Sequence, residues 1–302
     1  SSGLTYNNST VAVYLENKVD SEVVRTPITN YFNVVYEENN LTISCLVTTD
    51  EDGSVTDSGL KKIAGITSSS KIVVEYTAKL NASAVIGLDG NTNKVYLEFS
   101  NNPNVGGEGE TGKTPIDKVI VFTYELDVKK VDGEDKTTTL KDAEFKLHNA
   151  SNKWVIVDTE GKVTGWADTE DGGSTLKSDE NGLFNVIGLD DGTYYLKETK
   201  APDGYNLLNS EIKLDITATT ANGQTWSGTA SDALTALKIS VNNGDEIEGT
   251  LSTGIVGATV ENNQGATLPS TGGMGTRIFY AVGAVLMIGA AVILITRKRS
   301  AK

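Results

Sequence analysis

The 302-residue chain has one cysteine and one histidine, which narrows the side-chain chemistry open to it. Cys45 lies in the apolar run LTISCLV (41–47), where a thiol reads as core packing rather than as a nucleophile. A single cysteine also makes no internal disulfide. His148, in EFKLHN, is expected on a strand surface, and no Ser/His/Asp set assembles around one imidazole. The sequence has no Cys/His cluster for zinc. DEDGSVTD (50–57) gathers carboxylates without the spacing or closing glutamate of a calcium loop, and DGGSTLKSDENG (171–182) reads as a solvated loop. Trp154, Trp166 and Trp226 are expected to pack in cores or loops rather than to form a sugar-binding face. No metal, no cofactor and no enzyme active site is expected.

The elements that would position any chemistry read as strands. Alternating or β-branched runs recur at 10–16, 41–47, 71–80, 94–100, 119–131, 144–149, 154–158, 183–189, 193–199, 212–219 and 257–263. Gly, Asn, Asp and Ser clusters separate them, the spacing of β-sandwiches. ALTALKI (233–239) is open between a helical turn and a strand. NNPNVGGEGETGKTPIDK (101–118), rich in Gly and Pro, is expected to be a loop or linker. VIVFTYELDVKKV (119–131) is too long for one ordinary strand; VIVFTY would close a first domain and ELDVKK open a second, joined rigidly. Side chains alternate along a strand. Leu126, Val128 and Lys130 therefore share a face, as do Tyr194, Leu196 and Glu198, and Val260 and Asn262. Lys129, Lys197 and Glu261 point the other way. On spacing alone, a Lys–Glu pair in such a sheet is an ion pair and an Asn at a strand end is a turn residue.

The C-terminus adds a second kind of signal. Ile278 to Thr296 is an uncharged apolar run about as long, as a helix, as a bilayer core is thick. Arg297, Lys298, Arg299 and Lys302 follow it, the basic end expected in the cytoplasm. Without residues 272–302 the chain holds 21 Lys+Arg against 40 Asp+Glu, a net of −19. Such acidity argues against a nucleic-acid partner and favours solubility at a surface. Leu268-Pro269-Ser270-Thr271-Gly272, then the span, then the basic end, resembles the cell-wall sorting signal of Gram-positive surface proteins. The resemblance implies that sortase cuts between Thr271 and Gly272 and joins the Thr carboxyl to an amine on the peptidoglycan cross-bridge or on a neighbouring subunit. The membrane contact through 278–296 is then transient, and the location is the cell wall surface.

Three further stretches, LDVKKVDGEDKTTTLKDAEFKLHN, GTYYLKETKAPDGYNLLN and VGATVENNQGATLPSTGG, together resemble the Cna protein B-type domain of Gram-positive pilins and adhesins. The middle one is similar to the pilin E-box, Tyr-x-Leu-x-Glu-Thr-x-Ala-Pro-x-Gly-Tyr. The resemblance implies an all-β chain: an immunoglobulin-like sandwich over 125–266, then the sorting signal over 267–302. It also implies an internal isopeptide bond between Lys130, which stands before Val-Asp as the family's lysine does, and Asn262, assisted by Glu198. Burial would lower the lysine pKa and make a neutral nucleophile. The same desolvation favours a protonated Glu198, placed to protonate the Asn262 amide oxygen and then to serve the departing ammonia.

Residues 1–124 resemble the preceding domain of fimbrial isopeptide-forming pilins, related to the Cna A-type fold. The resemblance implies that this first sandwich is truncated, its donor lysine and acid lying upstream, with Asn93 as the remaining acceptor and Asn101 as the alternative. The expected function is that of a structural pilus subunit, stiffened by self-made amide bonds and serving adhesion. The alternative is a wall-anchored monomeric adhesin whose ligand-binding head precedes residue 1.

Overall fold

The computed structural model describes residues 2–37, 39–52, 55–101, 110–221 and 228–265. The sorting motif 268–272, the apolar run 278–296 and Trp226 lie outside them. Among the described residues no helix is long and apolar enough to cross a membrane.

The fold is all-β, and the second half explains why the alternating sequence folds as it does. Tyr124–Asp132 is the middle strand of a three-stranded sheet, antiparallel to Leu183–Leu189 and parallel to Ile255–Asn262. Facing it is a larger antiparallel sheet in the order Val163–Ala167, Trp154–Val157, Glu144–Asn149, Gly192–Lys200, Ile212–Thr220, Leu234–Val241, Glu246–Glu248. The inward rows of both sheets meet in one core, with Leu126, Val128, Val186 and Val256 on one side and Phe145, Leu147, Leu196, Leu214 and Ile239 on the other. Burying a side chain of this kind stabilises by about 1.5–3 kcal/mol, so period-two alternation fixes the register. The ambiguous ALTALKI resolves as a strand from Leu234, preceded by one helical turn, Ala230–Ala233. Leu234, Leu237 and Ile239 reach the core.

Residues 2–121 are built differently. They form small sheets of two or three strands, such as Glu22–Pro27/Ala12–Val19/Lys71–Glu75 and Asn91–Val95/Asp117–Val121. Their buried apolar cluster is Val13, Leu15, Ile28 and Ile63. The segment expected to be a linker is strand in part: Glu98–Ser100 pairs with Thr111–Lys113, and Asp117–Val121 pairs with Asn91–Val95. Thr111–Lys113 and the start of Asp117–Val121 therefore lie in ladders rather than in a free tether. The strand break in the long run falls at Phe122–Thr123, with Tyr124 already in the second sheet.

Two other expectations change. Cys45 is half-buried at the end of Asn40–Cys45, outside the small core, because that two-stranded ribbon covers only one face. His148 is buried, not on the surface. Its ring lies 5.0 Å from Tyr195 and 4.6 Å from Trp154, and Glu211 closes over Nε2 at 3.3 Å. Within 171–182, Leu176–Lys177 is a short strand against Glu144–Phe145, and Leu176 and Ser178 are buried.

The two halves meet through backbone. Gly87 N–H donates to Thr123 O and Leu88 N–H to Leu251 O, each at 3.0 Å. Leu88 and Ile120 pack against the large core. Gly87 and Gly254 both have positive φ, and a Cβ on Gly87 would stand 2.4 Å from Gly254 N, so glycine is required for this approach.

Candidate functional site: a buried lysine, glutamate and asparagine

The structure brings Lys130, Glu198 and Asn262 together at one end of the large core. They are 0%, 4% and 1% exposed. Each sits at the inward end of its strand's apolar row: Lys130 after Leu126 and Val128, Glu198 after Tyr194 and Leu196, Asn262 after Ala258 and Val260. The parallel register sets Lys130 opposite Val260 and Asp132 opposite Asn262. A long side chain two residues back thus reaches the asparagine along the sheet.

The contacts are short and fully satisfied. Lys130 Nζ donates to Asn262 Oδ1 at 2.5 Å and to Val260 O at 3.1 Å, and lies 4.0 Å from Glu198 Oε1. Asn262 Nδ2 donates to the Glu198 carboxylate at 2.9 and 3.0 Å and to Asn206 O at 2.9 Å. Leu208 N–H donates to Glu198 Oε2 at 2.8 Å. Among the described residues no buried side-chain N or O lacks a partner. Desolvation pushes the Lys130 amine down to about 8, opposed by the nearby Glu198 charge. A lysine so placed carries a usable fraction of neutral amine near neutral pH, against the carboxamide it would attack. Glu198 faces Nδ2, not Oδ1. The amide oxygen, expected to meet the glutamate, is held by Lys130 instead.

Sequence reasoning missed part of this site. Asn206 and Leu208 act through backbone groups, which have no side-chain signature. Asp132, Tyr205 and Gln264 form a second cluster beside the first. Tyr205 Oη donates to Asp132 Oδ2 at 2.7 Å, and Gln264 Nε2 donates to the same oxygen at 3.2 Å.

In the first half Asn93 is half-buried, its Oδ1 accepting from Tyr6 Oη and its Nδ2 donating to Tyr76 Oη, both at 2.6 Å. Its carboxamide is thus held by two phenols rather than by a lysine and an acid. Asn101 is exposed at a hairpin end, its N–H bonded to Glu110 O. The fully buried asparagine of this half is Asn91, whose carboxamide bonds both backbone groups of Val85.

This sandwich, with an ionisable trio in its core, directly precedes the segment that resembles a cell-wall sorting signal. Comparison with known proteins sharpens this. Residues 124–229 match the SpaA prealbumin-like fold domain, and residues 260–302 match the LPXTG cell wall anchor motif. The chain is 27% identical to the trypsin-resistant surface T6 protein of Streptococcus pyogenes serotype M6, covering 100% of this chain and 60% of that protein. It is 26% identical to the group B streptococcus pilus 2b backbone protein, with a TM-score of 0.50 over 89% of this chain and 83% of that one. The 35 kDa C-terminal fragment of the major pilin GBS80 of Streptococcus agalactiae shares the fold at a TM-score of 0.51, with 21% identity over 87% of this chain and 84% of that fragment. The chain thus carries a SpaA prealbumin-like fold domain followed by an LPXTG cell wall anchor motif, is similar to streptococcal pilus proteins, and spans about 60% of the length of the curated relative it matches.

Proposed function

We propose that the chain belongs to a structural pilus subunit, with two tandem immunoglobulin-like sandwiches over 1–124 and 125–266. Sortase cuts it between Thr271 and Gly272 and joins Thr271 to a neighbouring subunit or to the peptidoglycan cross-bridge, after 278–296 has held it in the membrane. Asn93, in the first sandwich, is the acceptor for a lysine outside the described residues. The names of the similar proteins, a pilus backbone protein and a major pilin, favour a subunit over a monomeric adhesin.

Residues 125–266 are stiffened by an amide between Lys130 and Asn262. Glu198 takes a proton from the Lys130 ammonium. The neutral Nζ attacks Asn262 Cγ, forming a C–N bond and moving the carbonyl electron pair onto Oδ1. Glu198, lying against Nδ2, returns the proton to the leaving nitrogen; the Cγ–Nδ2 bond breaks, ammonia departs, and the freed Glu198 carboxylate takes the second proton from Nζ to leave a neutral amide. Packing supplies the alignment that a bimolecular aminolysis lacks. The observation that carries this reading is the 2.5 Å contact between an amine at 0% exposure and Asn262 Oδ1.

The test is the intact mass of the purified chain. The crosslinked protein weighs about 17 Da less than its sequence, the mass of the ammonia expelled. Glu198→Ala is expected to restore the full mass. A folded wild type at full mass would sink the proposal.

A further inference from the structure

The E-box ends in a tyrosine that the chemistry above does not use. Tyr205 lies seven residues beyond Glu198, after a turn in which Tyr205 N–H donates to Pro202 O and Gly204 takes φ +87°. Its hydroxyl donates to Asp132, two residues beyond Lys130 on the same strand. Asp132 is itself 4% exposed and accepts from Glu134 N–H at 2.7 Å. Gln264, just past the asparagine strand, donates to the same carboxylate oxygen and lies 3.5 Å from the phenol oxygen. One phenol and one carboxylate thus tie together the lysine strand, the E-box loop and the end of the asparagine strand. The loop backbone follows suit: Asn206 N–H donates to Asn263 O at 3.0 Å and Gly265 N–H to Gly204 O at 2.9 Å. Two loop groups then enter the site, Asn206 O against Asn262 Nδ2 and Leu208 N–H against Glu198 Oε2.

We propose that Tyr205 is a positioning residue for amide formation, its hydroxyl clasping the 201–208 loop to Asp132 so that Asn206 O and Leu208 N–H fix the leaving amide and the glutamate. The inference rests on the Lys130–Asn262 reading. Asn206 O accepts one proton of the Nδ2 amide while Glu198 accepts the other, which leaves the carboxamide a single orientation with Oδ1 on the lysine. Leu208 N–H holds Glu198 against Nδ2, where its proton is needed last. Without the clasp the loop keeps its backbone bonds, the Asn206 Nδ2 contact to Gln264 O at 3.3 Å and the packing of Leu208, and the two site contacts loosen before the new bond has formed. The pull of the Tyr205 hydroxyl also keeps Asp132 below the usual carboxylate range, so the clasp stays charged at neutral pH. Lys130 and Glu198 carry the chemistry; Tyr205 touches neither.

The test uses the full chain made in a cell-free translation pulse, with intact mass followed over time. Tyr205→Phe is expected to slow the 17 Da loss about tenfold, the weight of one hydrogen bond to a charged group, without lowering the final yield. Asp132→Ala should slow it equally, and the double variant should be no slower than either. Asp132→Asn, which still offers an acceptor to the phenol, should recover most of the rate. A purely structural role would instead lower the melting temperature of the finished product and leave the rate of closure alone. Wild-type kinetics in Tyr205→Phe, or no difference between the two Asp132 variants, would overturn the inference while leaving the crosslink intact. If Tyr205→Phe does not fold, the Asp132 pair decides by itself. Full mass in the wild type would remove the crosslink reading and this inference with it.

Discussion

Both halves of the chain are written in the same alternating code, yet they use it differently. After residue 123 each inward row has a facing sheet, and Leu126, Val128, Phe145, Leu196 and Leu214 are all fully buried. Before it, comparable rows face outward: Val95 is 58% exposed, Leu97 62% and Val119 56%. Register makes the point locally. Val119 and Val121 pair with Asn93 and Asn91, so the strand pair presents one half-covered face carrying the tyrosine-held asparagine and two bare valines. Alternation specifies which side of a strand is apolar, but only a second sheet converts that side into a core. The polar trio follows the same rule. Lys130, Glu198 and Asn262 are buried because a second sheet covers them, and Asn93 has no lysine among its hydrogen-bond partners because nothing described supplies one.

The contrast can be broken at several points. The largest effect is expected from Glu198→Ala. If the amide closes a loop between residues 132 apart, its loss removes about 5 kcal/mol of chain-entropy stabilisation, a melting shift of roughly 15 °C for the second half and none for the first. Calorimetry resolving two transitions checks this; equal shifts would mean the halves melt as one. Next, Phe145→Ala should cost about 3–5 kcal/mol by denaturant titration, while Val119→Ala should stay within about 0.5 kcal/mol. A large loss at Val119 would show that its face is covered in solution. A third effect is on rate. Glu198 takes the Lys130 proton internally, so the reactive amine–acid pair has the same proton count as the ammonium–carboxylate pair; closure in freshly made chain should be nearly flat just below the lysine pKa of about 8 and should slow above it as the shared proton is lost. A roughly tenfold loss of rate per unit as pH falls from about 8 to about 6 would show that the proton goes to solvent instead of to Glu198. The smallest effect is at the joint. Gly87→Ala forces a Cβ toward Gly254 N at 2.4 Å, which should loosen one half from the other with little change in either core. Small-angle scattering should then record a broader distribution of lengths.

The sequence was most legible where period and burial coincide. The rows ending in Lys130, Glu198 and Asn262 could be read directly, since two-residue alternation and the apolar neighbours point the same way. His148 was misread because EFKLHN turns Phe145 and Leu147 inward, which leaves His148 on the outer row. That row is covered in turn by Trp154 and Tyr195 from adjacent strands, a tertiary fact no local pattern carries. The pairing of Glu98–Ser100 with Thr111–Lys113 was hidden for a related reason: the Gly content of 101–118 reads as a tether until the partner strand is known. Asn206 and Leu208 contribute a carbonyl and an amide, which every residue has, so their place in the site depended on the path of the loop.

The parallel pairing of Tyr124–Asp132 with Ile255–Asn262 has a mechanical consequence. The chain enters the second half along one strand and leaves along its neighbour in the same direction, so a pull on both ends shears the pair lengthwise. With Lys130 joined to Asn262 as proposed, tension would pass from the first strand into the last through a single covalent rung. Everything folded between them, the whole larger sheet included, would hang beside the load path like a side chain on a cable. Such a subunit would transmit a tug without lengthening, and its interior would be free to vary in sequence as long as that rung and its surroundings were kept.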